Sequence, residues 1–241
     1  MPHIRSLIAA LLLCLLLPTA AVAQVGEARN ALAIGGSAGV AMNTIDFDPN
    51  IKQSLHVAPT VGITVRYTSE KYFNTYCAIQ GELNFTRLGW KEEVLDHNSQ
   101  PLPDTYRRDQ DYLQLPVLAR LGWGREQRGV MFYVLAGPQL GLCIGERAHR
   151  SSTWTVDADG NPDRPNMFSS QYTMDIEHRF DYGITAGAGL EWHTRAGHFA
   201  LEGRYYYGLS DLYGNAKKDV FSRSANGTIF VKLVYLRDVF K

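Results

Sequence analysis

Hydrophobic and polar residues alternate with a period of two along most of this chain. Between Val57 and Thr68, the odd positions carry Val, Pro, Ile and Tyr, whereas the even positions carry Ala, Thr, Gly and Arg. Such alternation predicts a β-strand with one apolar and one polar face. The pattern recurs in seven other segments, and the eight predicted strands cover approximately residues 31–42, 57–68, 75–88, 111–121, 130–142, 180–192, 198–209 and 227–236.

The lengths of these segments and of their connections indicate a membrane protein. Each segment has roughly ten residues or more, which exceeds the usual strand of a soluble sheet and suits a tilted membrane crossing. Short connections follow the second, fourth and sixth segments, at residues 69–71, 124–129 and 194–197, and long polar connections follow the others, the longest at about 145–179. This order is typical of outer-membrane barrels.

We therefore predict an all-β fold, an eight-stranded antiparallel up-and-down transmembrane β-barrel with short periplasmic turns and long extracellular loops. Pairing of the last strand with the first would remove the sheet edges, which lipid cannot satisfy. A soluble periplasmic β-sandwich is the alternative architecture.

Aromatic residues concentrate near the two ends of the predicted strands. Rings at the two membrane interfaces form girdles in outer-membrane barrels. The candidate girdle residues are Tyr67, Trp90, Trp123, Phe132, Trp192, Phe199, Tyr205, Tyr207 and Tyr235.

The N-terminus has the features of a secretory signal peptide. Arg5 precedes an apolar run from Leu7 to Leu17, and Ala21-Val22-Ala23 matches a cleavage site. We predict a cleaved signal peptide at residues 1–23, a β-barrel domain at residues 24–241, and localisation in the outer membrane of a Gram-negative cell. A lipoprotein processed at Cys14 and a retained signal anchor are the alternatives.

The amino-acid composition limits the classes of binding partner. Lys and Arg total 24 and Asp and Glu total 24, so no excess positive charge favours nucleic acid. An apolar fraction of 45% with no mature apolar run of about 20 residues excludes a polytopic helical protein. We expect a monomeric barrel in outer-membrane lipid, with envelope proteins as partners of the long loops and without a cofactor.

The polar faces of the predicted strands carry charges of both signs. A barrel of about eight strands has room only for side chains in its lumen, so these charges should pair and fill it. The alternative is a path for protons or small ions. The predicted lumen charge network comprises Arg66, Glu82, Arg120, Asp181, Glu191, Glu202, Arg204 and Lys232.

Candidate metal and catalytic chemistry is sparse. Asp157, Asp159 and Asp163 surround Gly160 and form a weak calcium candidate, but Asp-Gly-Asn is equally a hairpin turn. Cys77 and Cys143 fall on predicted strands that are not neighbours, so we expect no disulfide. No sequence motif places a nucleophile beside a base and an acid, so we predict no catalytic residues and no enzymatic activity.

Four sequence blocks resemble the PorT-like porin family of Bacteroidota-type bacteria. They are residues 111–118 (DYLQLPVL), 133–141 (YVLAGPQLG), 181–191 (DYGITAGAGLE) and 201–212 (LEGRYYYGLSDL). The resemblance implies an eight-stranded outer-membrane barrel and no particular solute. Its name-giving member type is tied to a secretion and gliding machinery, so an accessory subunit of a type IX-like machinery and a narrow porin for small solutes remain alternatives to a filled barrel. The chain departs from the usual terminal aromatic residue, because Lys241 follows Phe240.

Overall fold

The computed structural model describes residues 26–95, 98, 100–125, 128–154 and 170–240. The predicted signal peptide and the calcium candidate at Asp157, Asp159 and Asp163 lie outside the described residues. Within them, no helix is long and apolar enough to cross a membrane.

In the described part of the chain, eight long strands and one short strand form a single sheet. A single 3-10 turn at Ser170–Tyr172 accompanies them in the described part of the chain. The strands are β1 Glu27–Asp48, β2 Gln53–Ser54, β3 His56–Tyr72, β4 Thr75–Leu95, β5 Pro101–Gly124, β6 Gly129–Arg150, β7 Phe180–Thr194, β8 Gly197–Asp211 and β9 Arg223–Phe240.

The sheet closes into a ring. Each long strand pairs antiparallel with the next, and β9 pairs with β1, for example Val231 with Val40. The two-residue β2 pairs with β4 near its long-loop end, at Lys91 and Glu92. The predicted eight-stranded antiparallel barrel, with its first and last strands paired, is therefore confirmed.

The strands reach further than the sequence pattern predicts. Strands β4, β5 and β6 continue well past the ends of the alternating segments and project together at the long-loop end. The connection predicted at Ser69, Glu70 and Lys71 was wrong, because β3 continues to Tyr72 through an irregularity near Ser69. The chain reverses instead at Phe73, whose φ of 52° is positive.

The two faces of the strands differ as the alternation predicts. Ile63 and Leu233 on the outer face are 59% and 66% exposed, whereas Thr64 on the inner face is completely buried. The outer face of the barrel is an almost continuous apolar band, and burial of such a surface in lipid is favourable whereas its exposure to water is not.

One predicted girdle residue, Trp90, does not lie on the outer face of the barrel. Trp90 is completely buried, because its even number places it on the inner face of β4, the same face as Glu82. Its assignment to a girdle was wrong. The other eight residues lie on the outer face with 37–50% of their surface exposed: Tyr67, Trp123, Phe132, Trp192, Phe199, Tyr205, Tyr207 and Tyr235.

Trp90 is part of a buried aromatic group inside the long-loop end, which we call the loop-end cluster. Its ring centroid lies 5.4 Å from that of Phe47, which in turn packs at 5.0 Å from Phe221. Tyr106 packs edge-on against Tyr172 at 4.9 Å. The cluster comprises Phe47, Trp90, Tyr106, Tyr172, Tyr213 and Phe221. These rings fill the barrel where it emerges from the apolar band.

Candidate functional site in the barrel interior

All eight charged residues assigned to the lumen from sequence lie inside the barrel, each with at most 5% of its surface exposed. They do not form one network. Four meet at the middle of the barrel, three lie near the short turns, and Asp181 is separate from both groups. The height of a side chain along the barrel axis therefore decides its partners.

The central charge cluster comprises Glu82, Glu202, Arg204 and Lys232. Arg204 donates hydrogen bonds to both oxygens of Glu82, at 2.5 and 3.0 Å, and also contacts Glu202. Lys232 Nζ donates to Glu82 Oε2 at 2.7 Å. Two carboxylates face two cations, so the cluster is electrically neutral.

Neutral polar groups complete the central cluster. Tyr133 donates to Glu202 Oε1 at 2.6 Å, and Gln80 donates to Glu82 Oε1 at 2.8 Å. Asn84 donates to Glu82 Oε2 and accepts from Lys232 Nζ. Every carboxylate oxygen of the cluster accepts hydrogen bonds, and Arg204 Nε is its one donor without a partner. Such satisfaction is what a buried charge requires.

The central cluster spans the lumen. In the ring order β1, β3, β4, β5, β6, β7, β8, β9, strand β4 lies four steps from β8 in both directions. Arg204 on β8 and Glu82 on β4 therefore come from opposite walls. Since an eight-stranded barrel is just wide enough for its own side chains, this contact closes the lumen.

A second group, the turn-end cluster, surrounds Glu191 on β7. Arg66 NH1 donates to Glu191 Oε2 at 2.6 Å, and Arg120 NH2 contacts the same oxygen. Arg66 lies on β3, which is opposite β7 in the ring. The Arg120 guanidinium also lies 3.7 Å from the centroid of the Tyr133 ring, a cation–π contact that links this cluster to the central one.

Three members of the turn-end cluster were missed by the sequence reasoning. His193 Nε2 lies 2.7 Å and His198 Nδ1 lies 3.1 Å from Glu191 Oε1, and His198 Nε2 lies 3.0 Å from both oxygens of Asp238. The signal was available, because Glu191 and His193 are two apart on one strand and His198 follows a short turn. A cavity of about 350 Å³ adjoins the cluster at the short-turn end.

Asp181 and the two cysteines lie outside the central charge cluster and the turn-end cluster. Asp181 accepts hydrogen bonds from Ser210 Oγ at 2.5 Å and Asn226 Nδ2 at 3.2 Å. Cys77 is half-buried and Cys143 is buried on the inner face, and neither forms a disulfide.

Charged residues also stabilise the long-loop end above the apolar band. Arg108 is 5% exposed and donates to Glu146 Oε2 at 2.6 Å and to the Met174 carbonyl at 2.6 Å, tying the segment after residue 170 to the barrel. Burial raises the pKa of Asp109, but hydrogen bonds with His56 and Arg107, each at 2.7 Å, outweigh it and hold the pKa below its usual value.

Several solved outer-membrane structures are similar to this chain. Ail of Yersinia pestis, in complex with the heparin analogue sucrose octasulfate, shares 17% identity over 87% of this chain and 100% of that chain, with a TM-score of 0.38. Neisserial surface protein A shares 13% identity over 85% and 96%, with a TM-score of 0.39. OprG from Pseudomonas aeruginosa shares 10% identity over 88% and 96%, with a TM-score of 0.44.

Sequence comparison assigns the family. No curated protein matches the chain significantly. The profile of the outer membrane protein beta-barrel domain matches residues 22–214, which include seven of the eight long strands. This protein therefore belongs to the family of outer membrane proteins with a beta-barrel domain.

Proposed function

We propose that this outer-membrane barrel is filled and non-conducting, has no enzymatic activity, and acts through its long-loop end as an interaction surface for other envelope proteins. The observation that carries the proposal is the contact between Arg204 and Glu82, which joins opposite walls of the barrel. A general diffusion pore needs a continuous aqueous lumen, and this contact occupies its middle.

The loop-end cluster supports the same conclusion from a second level of the barrel. Trp90, Tyr106 and Tyr213 are all completely buried inside the long-loop end. A solute entering there would first have to displace packed aromatic rings and then the central ion pairs. Two successive barriers of different chemistry favour a structural interior over a narrow porin.

The projecting parts of β4, β5 and β6 support the interaction role. Above the apolar band their outer surfaces carry exposed charged side chains, including Arg107, Arg147 and His149. Exposed apolar residues also occur in the connections at this end of the barrel, such as Leu55 at 54% and Val220 at 39%. A mixed apolar and charged surface of this kind suits a protein partner better than lipid.

We propose a closer relationship to PorT-like porins, for which the four sequence blocks are the support. With the orientation usual for outer-membrane barrels, the short turns face the periplasm and the long-loop end faces the exterior. An accessory role in a secretion machinery would be one form of the proposed interaction, with an envelope protein as the partner.

Solute permeation tests the filled interior. We expect proteoliposomes that contain the wild-type barrel to swell in small sugars no faster than empty liposomes. A Glu82→Ser and Arg204→Ser double variant retains Glu202 and Lys232, which are directly paired across β8 and β9, so its lumen should be wider at unchanged net charge. Rapid swelling with the wild type would contradict the proposal.

Site-specific photocrosslinking in cells tests the interaction surface. A photoreactive amino acid at Val220 reports on the long-loop end, and the same group at Phe73, which is 82% exposed in a short turn, is the matched control. We expect a discrete protein adduct from position 220 and none of the same mass from position 73. Equal adducts at both positions, or none at either, would contradict a partner at the long-loop end.

A further inference from the structure

The β7–β8 hairpin brings three side chains of types that can ligate a metal ion onto one inner surface. Glu191 and His193 are two residues apart on β7, so both point into the barrel. His198 is the direct partner of His193 across the two strands. The short turn between the two strands therefore places two imidazoles and one carboxylate side by side.

The potential ligand atoms converge. Glu191 Oε1, His193 Nε2 and one ring nitrogen of His198 all lie within 4.8 Å of one another. Their side chains are almost buried, with 1%, 7% and 8% of their surfaces exposed. Donors around a tetrahedral Zn²⁺ lie about 3.3 Å apart, given bonds of about 2.0–2.1 Å. The distances of 2.7 and 3.1 Å from Glu191 Oε1 need only a small outward movement to reach that spacing.

The orientation of His198 is the observation that points to a ligand. Its Nε2 lies 3.0 Å from both oxygens of Asp238, and two carboxylate acceptors at this distance favour the proton of the neutral ring on Nε2. Nδ1 then presents a lone pair to Glu191 Oε1, and neither of these two atoms makes a hydrogen bond of acceptable geometry. Two acceptors that face each other in a buried site repel, unless a cation lies between them. Histidine ligands of metal ions typically donate their second N–H to a carboxylate in this way.

The second carboxylate oxygen of Glu191, Oε2, already has hydrogen-bond partners. Arg66 and Arg120 both donate to Glu191 Oε2, which holds the carboxylate so that Oε1 faces the two imidazoles. These two cations also oppose the entry of a further positive charge. The donor set decides which cation fits: one carboxylate oxygen is too few for Ca²⁺ or Mg²⁺, which need several oxygen ligands, whereas two imidazoles suit a transition metal ion.

We propose that Glu191, His193 and His198 form a binding site for a divalent transition metal ion of the Zn²⁺ type, with Asp238 as the positioning residue of His198. The adjoining cavity of about 350 Å³ leaves room for water in the remaining coordination position. Since the site lies at the short-turn end, below the central charge cluster, the metal ion reaches it without crossing the filled lumen.

The alternative to a metal ion is a second proton on His198, carried by Nδ1 and directed at Glu191 Oε1. An imidazolium ring would donate to Asp238 from Nε2 and to Glu191 from Nδ1, and the cluster would then be a structural ion-pair network. The two assignments differ in one measurable respect, because only the metal site gives a saturable signal with an added transition metal ion.

Titration of the intact barrel with Co²⁺ distinguishes them. The protein is prepared in detergent micelles without a polyhistidine tag, and its visible absorption is followed as Co²⁺ is added and then displaced by Zn²⁺. We expect one equivalent of Co²⁺ to give a d–d absorption band that Zn²⁺ abolishes. His149→Ala and His178→Ala remove histidines at the long-loop end and should leave the band unchanged.

Variants at the site decide whether the band comes from these residues. We expect Asp238→Asn to weaken Co²⁺ binding by about 10- to 100-fold, and His193→Ala or His198→Gln to weaken it further. Migration of the unheated barrel in gel electrophoresis reports folding, and Asp238→Asn offers a conservative test if a ligand variant does not fold. An absent band with the wild type, or an undiminished band in all three variants, would overturn the proposal and favour the imidazolium.

Discussion

The central charge cluster and the turn-end cluster both bury glutamates against cationic side chains, but only the central cluster pairs every carboxylate oxygen. At the centre, Glu82 accepts from Arg204, Lys232 and neutral amides, and all four carboxylate oxygens of the cluster are satisfied. At the turn end, one oxygen of Glu191 is held by two arginines, whereas the other faces two imidazoles beside a cavity. The comparison teaches that buried charge serves filling where it is fully paired and serves binding where pairing is left incomplete.

The largest effect should come from breaking the central cluster. Arg204→Ala removes the cation that lies between Glu82 and Glu202 and leaves buried negative charge with Lys232 alone. We expect a loss of about 3–5 kcal/mol in the free energy of unfolding, measured by urea denaturation of the barrel in micelles. Arg204→Lys is the control that keeps the charge. A loss below about 1 kcal/mol from the alanine variant would remove the distinction between the clusters.

A metal ion should stabilise only the turn-end cluster. If the proposed site exists, Zn²⁺ at about 100 times its dissociation constant raises the free energy of unfolding by about 2.7 kcal/mol. His198→Gln should lose this gain, whereas His149→Ala should keep it. Equal stabilisation of both variants would show that Zn²⁺ binds elsewhere on the barrel.

Without metal, the turn-end histidine should matter much less than the central arginine. His198→Gln loses the contact with Asp238 but leaves no buried charge alone, because Arg66 and Arg120 still pair with Glu191. We expect a cost of about 0.5–1.5 kcal/mol, by the same urea assay with a chelator present. A cost as large as that of Arg204→Ala would mean that the two clusters do not differ in kind.

A pH titration tests whether Asp109 stabilises the long-loop end, in contrast to the buried charges of the two interior clusters. Because the pKa of Asp109 is below its ordinary value in the folded protein, its stabilisation is complete above the unfolded value of about 3.9 and is lost as pH falls through the folded value. We expect the stability difference between wild type and Asp109→Asn to shrink between pH 6 and pH 3. A difference that stays constant over this range would contradict the assignment.

The alternation of residues was sufficient to predict the barrel, its closure and the face of nearly every side chain. Period two determines whether a residue points inward, and Trp90 was misplaced only because that rule was not extended past residue 88. The parts of β4 to β6 at the long-loop end were not predicted, because strands above the apolar band carry polar residues on both faces, as at the exposed Arg107 and the buried Arg108.

The partners of the interior charges could not be predicted from alternation. Arg66 meets Glu191, 125 residues away along the chain, because the stagger of the strands brings them to the same height on opposite walls. The sequence carries no direct measure of that height. His193 and His198 were within reach, since a short turn between two strands fixes their pairing, but a histidine pair has meaning only when Glu191 is known to lie beside it.

Planar-bilayer recording of the purified wild-type barrel tests the filled interior most directly. We expect a membrane current that stays at the level of protein-free bilayers, because the ion pairs between β4 and β8 close the lumen. The Glu82→Ser and Arg204→Ser double variant should show conductance steps in the same membranes. Large and stable conductance steps from the wild type would contradict the central claim.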